Sequence, residues 1–404
     1  MLQRLLLLSS LLVVGLVAGC SEQPVTPAEP EESAPAEQQL ADDPRSAEPA
    51  PNTPPGELAG SLAEPAETLP GSRYTLDAVA YSVARLSATP VRFPAPTERA
   101  DFEAWRQEAK ERLVRSLHIF RLTDGHQGLE PVVMASESFD GYRRDEVSYF
   151  VDFGLRGRAF LYVPDAPGPH PAIVFWHGHT FGGYLSSAGI EPYGAETNAH
   201  HGGAAALAEA GYVVLAPNVR TFGESGGVEA HEHYERILRL AGGSALGTFA
   251  SDAHRAVDFL TSLSYVDADR IGVTGLSLGG LLTLLSAALD ERVAAAAPQS
   301  FFGSYRRTLL TTSNCPCNYA GVLGVDFDIA DLAALAAPTP MLIVAGTADS
   351  EFPVVAMRDA FAQTSASYQL IGSDALELAE HSGGHEWIAE PAIAFFDQEF
   401  RSQE

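Results

Sequence analysis

The chain is short of positive charge and short of cysteine. Its 404 residues carry 25 Lys plus Arg against 52 Asp plus Glu, a formal net charge of -27. A surface of that sign repels phosphates, which argues against nucleic acid and anionic membrane surfaces as partners. There are three cysteines. One, Cys20, directly follows the N-terminal apolar stretch, and the body of the protein has Cys315 and Cys317, on either side of Pro316. A bridge across one residue closes a small, strained ring. The pair is therefore expected to serve a loop, as free thiols or a local redox pair, and an isolated two-cysteine metal site is not expected. No internal repeat is evident, and no region has the size of a propeller domain.

The N-terminus is an address rather than fold. Arg4 supplies a positive charge, and Leu5 to Ala18 form an apolar core too short to span a bilayer comfortably as a mature helix. It ends in Val17-Ala18-Gly19-Cys20, which resembles a bacterial lipobox. That resemblance implies a signal peptide over 1–19 and a lipid on Cys20 as the mature N-terminus. An ordinary signal peptide with a chance cysteine is the alternative. Ser21 is not the aspartate of an inner-membrane retention signal, which favours the outer membrane if the cell is Gram-negative. Residues 20–71 are rich in Pro, Ala, Glu and Ser and poor in large apolar residues. They cannot build a core and are expected to be disordered. As a flexible coil they reach on the order of 40 Å, a tether lifting the folded part off a membrane.

Residues 72–127 read as an N-terminal helical extension. Phe102, Trp105, Ala109, Leu113 and Leu117 recur at three-to-four spacing with charges between them, the period of a helix face packed on a core. From 128 to 404 the signals alternate. Strands are expected over 131–138, 147–153, 159–163, 172–176, 212–216, 270–274, 293–297, 341–345 and 368–371. Helices are expected over 198–210, 252–263, 277–289 and 354–364, with a last one from about Glu386. The continuous apolar run Ala172-Ile173-Val174-Phe175-Trp176 fits a strand buried on both faces. Strand–helix alternation gives the fold class α/β, a mostly parallel sheet with helices on both faces.

The chemistry centres on Ile271-Gly272-Val273-Thr274-Gly275-Leu276-Ser277-Leu278-Gly279-Gly280. A β-branched run enters a Gly-x-Ser-x-Gly pattern, and the helical run Leu281 to Ala288 leaves it. Strand, sharp turn and helix are the context of a nucleophile elbow. Ser277 is the candidate nucleophile, and the helix start offers free backbone N–H groups. The partners of such a serine follow in the order acid, then histidine. Asp349 comes four residues after the apolar strand Met341 to Ala345, with Glu351 as a nearby substitute. His385, in His381-Ser382-Gly383-Gly384-His385, is the candidate base, with His381 as rival. The oxyanion donors are expected to be the backbone N–H groups of Leu278 and of His179, in the turn after Phe175-Trp176. His177 is expected to be structural. The histidines at 177, 179, 200, 201, 231, 233 and 254 form no familiar ligand spacing, and the serine chemistry needs neither metal nor other cofactor. Phe181, Phe222, Phe301 and Phe302 follow strands and are candidates for an acyl pocket or for packing.

From about residue 100 onward the chain resembles the α/β-hydrolase superfamily, in its dienelactone-hydrolase-like and acetyl-xylan-esterase-like branch. The likeness rests on His177-Gly178-His179, Gly211 to Pro217, Arg255 to Leu260, Val266 to Val273 leading into the elbow, Asn314 to Tyr319, and Asp328 to Leu332 before Ala337-Pro338. The chain departs from the family pattern at Asn218-Val219-Arg220, where relatives often begin with aspartate, and at Ala320. The resemblance implies an α/β-hydrolase fold over 128–404, a Ser277-Asp349-His385 triad and cleavage of carboxylic esters, with acetyl esters of carbohydrates as a candidate substrate class. A serine peptidase of the same fold and a non-catalytic surface binding protein are the rival expectations.

Overall fold

A computed structural model describes residues 78–118, 128–190, 198–223, 228–312, 314–320 and 323–401. The leader, Cys20 and the tether fall outside the described residues, as do 72–77 and 119–127 of the helical extension.

The extension contributes two helices, α1 (Ala78–Ala88) and α2 (Arg99–Ser116). On α2, Phe102, Trp105, Ala109 and Leu113 are buried, and each large apolar side chain so buried contributes about 1.5–3 kcal/mol. Arg106 also donates to the Ala337 carbonyl at 3.4 Å, tying α2 to the main body.

The sheet has nine strands among the described residues. They are β1 (Val132–Ser138), β2 (Tyr142–Asp152), β3 (Leu155–Pro164), β4 (His170–Trp176), β5 (Val213–Pro217), β6 (Val266–Leu276), β7 (Val293–Gln299), β8 (Met341–Gly346) and β9 (Leu376–His381). Their order is β1-β2-β3-β5-β4-β6-β7-β8-β9. β1, β2, β3 and β5 pair antiparallel, whereas β5, β4, β6, β7, β8 and β9 run parallel. The crossovers and loops carry α3 (Tyr184–Ser187), α4 (Gly203–Glu209), α5 (Val228–Leu240), α6 (Ala245–Thr261), α7 (Leu278–Leu289), α8 (Ile329–Ala336), α9 (Val354–Ile371) and α10 (Ala389–Arg401).

Successive residues of β4 point to opposite faces, as a pleated strand requires. Ala172, Val174 and Trp176 enter one core with residues of α2, α6, α7 and α8. Ile173 and Phe175 enter the other, with α4 and α10. Both faces are covered, which explains why this strand reads as an unbroken apolar run.

The structure corrects two expectations. Residues 368–371 are not a strand. They complete α9, because Ala360, Thr364, Ser367 and Tyr368 make a buried stripe at helical spacing. Gly372 ends the helix with φ 80°, a left-handed turn that favours glycine. The true edge strand is β9, whose Leu-Glu-Leu-Ala-Glu-His pattern alternates and is only half-buried. The second concerns helices absent from the expected set, α5 and α8 among them. In α5 the polar run Val228-Glu-Ala-His-Glu-His-Tyr hides the apolar periodicity behind charge.

Candidate active site

The candidate site is built by loops leaving the C-terminal ends of β4, β6, β8 and β9, the place where open α/β sheets bind ligands. Ser277 stands between β6 and α7 with φ 58° and ψ -119°. A non-glycine residue in that region stores on the order of 1–3 kcal/mol of strain. Its N–H donates to the Gln299 carbonyl at 3.0 Å, and its carbonyl accepts from Leu281 N–H at 3.0 Å. Those bonds and the close approach of Gly279 hold the turn in place. A Cβ on Gly279 would come within 2.1 Å of the Trp176 carbonyl oxygen, a backbone atom that cannot turn away. Gly279→Ala is therefore expected to destabilise the fold by at least about 1–3 kcal/mol, the usual cost of overpacking. A thermal melt followed by circular dichroism checks this, and an unchanged midpoint would contradict it.

Asp349 lies in the loop after β8 and is buried. Its Oδ1 accepts from the N–H groups of Glu351 at 2.8 Å and Phe352 at 2.9 Å. That leaves Oδ2 facing His385 Nδ1 at 2.9 Å. The loop carrying His385 is held by backbone contact. Ala348 N–H donates to the Gly383 carbonyl at 3.0 Å, and a Cβ on Gly346 would strike the Gly384 carbonyl oxygen at 2.2 Å. Glu386 accepts from Gly384 N–H at 3.1 Å and pairs with His201 Nε2 at 2.8 Å. Gln299 grips Ile388 through both its amide atoms, and Trp387 Nε1 donates to Thr274 at 3.2 Å. The rings of Phe352 and His385 stack 5.9 Å apart.

Burial alone works against a charge on His385. The hydrogen bond and charge of Asp349, with the charge of Glu351 added, outweigh it, and the net shift of the imidazole is upward. Glu351 does not substitute for Asp349. Its Oε2 is 3.9 Å from Nε2, the opposite nitrogen of His385, and its side chain is half exposed. Glu351→Gln is expected to lower the apparent pKa of the acid limb of the activity profile slightly, while kcat at high pH stays within about threefold, since an exposed charge is screened by water. A pH–rate series reads both.

Ser277, Leu276, Gly178, His179, Glu351 and His385 line one cavity of about 720 Å³. Leu278 opens α7, so its N–H is one of the donors without an intrahelical acceptor. His179 sits in the turn after β4, on the cavity wall. That turn is fixed by two buried histidines. His177 Nε2 accepts from Val219 N–H at 3.0 Å, and its Nδ1 donates to the Gly178 carbonyl at 2.8 Å. His200 Nε2 accepts from Gly178 N–H at 2.9 Å. Burial pushes His177 down to about 4 and His200 down to about 3, so both stay neutral and keep these bonds. His381, the rival base, sits at the end of β9 with Nδ1 accepting from Gly383 N–H at 3.2 Å, and it is not part of the cavity wall. Phe222 lines the cavity from a buried position and Phe181 from an exposed one. Phe301 and Phe302 pack in the core instead. Asn218, where the family pattern often begins with aspartate, and Arg220 beside it are structural. Asn218 Nδ2 donates to the Phe222 carbonyl at 2.9 Å, and Arg220 pairs with Asp252 at 2.6 Å.

The model of the dienelactone hydrolase family matches residues 158–372, more than half of the chain. The chain belongs to the dienelactone hydrolase family. It is thereby a hydrolase of carboxylic esters. YtaP, a hydrolase-like protein of Bacillus subtilis (strain 168), is 30% identical over 232 residues, 56% of this chain and 76% of that one. Among solved structures, an acetyl-xylan-esterase-like protein of Bacteroides fragilis NCTC 9343 superposes with a TM-score of 0.64 at 18% identity, covering 81% of this chain and 86% of that one. A glucuronoyl esterase from Solibacter usitatus gives 0.56 at 18% identity, over 74% and 93%. At those identities the superpositions establish the shared fold.

Three features of the site escaped the sequence reading. His200 and Glu386 act on Gly178 and Gly384 through contacts that no local pattern announces. The third is a cluster at the cavity wall, where His179, His231 and Cys315, which line it, meet the buried Cys317. Their separation along the chain hides it.

Proposed function

We propose that this hydrolase cleaves carboxylic esters by a Ser277-His385-Asp349 relay through an acyl-enzyme, and that its substrates are small acyl esters, with acetyl esters of carbohydrates first among them. The observation that carries the reading is the Asp349–His385 hydrogen bond of 2.9 Å, in a cavity that also holds Ser277 at its strained turn. His385 Nε2 takes the proton of the Ser277 hydroxyl as Oγ attacks the ester carbonyl. Asp349 accepts the Nδ1–H, which fixes the tautomer and stabilises the imidazolium. The N–H groups of Leu278 and His179 receive the charge that develops on the carbonyl oxygen, and losing one such donor costs on the order of a hundredfold or more in rate. The tetrahedral intermediate expels the alcohol, which leaves with the proton held by His385. Water, deprotonated by the same nitrogen, then attacks the acyl-enzyme and releases the acid.

The carbohydrate preference is supported by the neighbours' names alone. It is tested by a panel of acetylated sugars, matched simple esters and a short peptide amide, run on the wild type and Ser277→Ala. Acetyl-sugar turnover above that of the simple esters supports it. Turnover of the amide alone sinks it. The envelope location belongs to the same proposal: Cys20 carries the lipid, residues 20–71 act as tether, and the domain is exported. Replacing Cys20 with Ser is expected to move the protein out of the membrane fraction, and unchanged fractionation would contradict the anchor.

A further inference from the structure

We propose that His179, His231, Cys315 and Cys317 form a four-coordinate site for a zinc-class divalent cation in the cavity wall. Each residue offers one ligand atom, and the four atoms lie within 4.8 Å of one another. His179 Nε2 and Cys317 Sγ are 3.1 Å apart. A tetrahedral zinc with bonds of about 2.3 Å to sulfur and 2.0–2.1 Å to nitrogen sets its ligands about 3.3–3.8 Å from one another. The cluster needs only sub-ångström to ångström adjustments to reach that shape. Two sulfurs and two imidazoles are the donor set that selects zinc over magnesium or calcium.

A second, independent observation comes from His231. It is 1% exposed, and its ring meets those of Phe222 and Phe249. Its Nδ1 meets Thr221 Oγ1 at 2.8 Å, and that hydroxyl also donates to the Arg220 carbonyl. A hydroxyl has one hydrogen. With it committed to the carbonyl, Thr221 accepts from His231, so the imidazole carries its proton on Nδ1. Nε2 then offers its lone pair to the cluster: it is buried, makes no hydrogen bond of normal geometry among the described residues, and the ring meets the Cys315 thiol. Fixing the tautomer of a ligand histidine from behind is what metal sites require of their outer residues. Without a cation, what faces His231 is the Cys315 thiol, a weak S–H donor.

The four ligands come from three separate pieces of chain: the turn after β4, α5, and the short 3-10 turn Pro316–Asn318 with Cys315 as its N-cap. Pro316 separates the two sulfurs, which are not bonded to each other. A cation with four protein ligands has no open position, so its role is to fasten these pieces together rather than to activate water. It goes beyond the ester chemistry and is tested without substrate.

The measurement is metal content on the full chain, purified without a histidine tag and under thiol reductant. About one zinc per chain is expected. After chelation, adding cobalt(II) alone is expected to give the intense visible bands of a tetrahedral thiolate complex, together with a recovered melting temperature. Cys315→Ala with Cys317→Ala is expected to abolish both. Thr221→Val keeps all four ligands, and its expected effect is a 10–100-fold loss of zinc affinity, about what losing an outer-shell partner costs. Three results would overturn the site: reduced wild type with no zinc and no cobalt spectrum, zinc retained undiminished by the double variant, or a Cys315–Cys317 disulfide that persists in the reduced protein. Because neither readout uses an ester, a failed esterase assay and a failed metal assay remain separate outcomes.

Discussion

Ser277→Ala is expected to lower ester turnover by at least about 10⁴-fold, the scale on which removing a serine nucleophile acts. The change removes one oxygen and keeps the Cβ, so the turn at φ 58° is neither relieved nor further crowded. The bonds from Ser277 N–H to Gln299 and from Leu281 to the Ser277 carbonyl are backbone bonds and survive. The melting temperature should therefore stay within a few degrees, and the loss should fall on kcat rather than KM. Steady-state kinetics with a short acyl ester reads the first point, and a thermal melt the second. A fluorophosphonate probe adds an independent measure, labelling the wild type at one serine and leaving the variant unlabelled. Turnover within tenfold of wild type in a folded variant would remove Ser277 from the chemistry, whatever the fold.

How much of this was legible in the sequence depended on how far each signal reached along the chain. The elbow was legible because its requirements are local. Gly275 and Gly279 lie within two residues of Ser277, and each meets backbone at under 3 Å if given a Cβ. The central strands were legible because two-sided burial demands an unbroken apolar run, as in β4 and β8. The edge was not. β9 is half-buried and carries Glu377 and Glu380, of which Glu380 is held by Arg358, so its pattern is too mixed to separate from a loop. Tyr368 to Ile371 reads as a strand because an aromatic and two large aliphatic residues fall within four positions. Burial at Thr364, Ser367 and Tyr368 shows the helical period continuing through them. The cavity wall was the least legible part. His179 and His231 acquire meaning only when β4 and α5 meet the turn at Pro316, and nothing in their spacing measures that distance.

Asp349→Asn carries the second large expectation, and it separates two things a carboxylate does for His385. The carboxylate accepts the Nδ1–H at 2.9 Å, which keeps Nε2 free as a base, and its charge stabilises the imidazolium. An asparagine amide keeps the shape but can present its NH₂ to Nδ1, which favours the wrong tautomer. kcat should fall by about 10³–10⁴-fold, as when the acid of a serine triad is neutralised. The pH dependence should move as well. In the wild type the net shift of His385 is upward, so the imidazole holds its proton to higher pH than an ordinary histidine. The base works only when neutral, so kcat/KM should climb with pH through an apparent pKa above 6.5, the ordinary histidine value. Asp349→Asn removes the hydrogen-bonding and charge contributions of Asp349, leaving burial opposed only by the charge of Glu351. The residual activity should therefore climb through a lower apparent pKa. A variant that loses rate with an unmoved acid limb would mean that Asp349 only shapes the loop through Glu351 and Phe352, and that the charge felt by His385 comes from elsewhere.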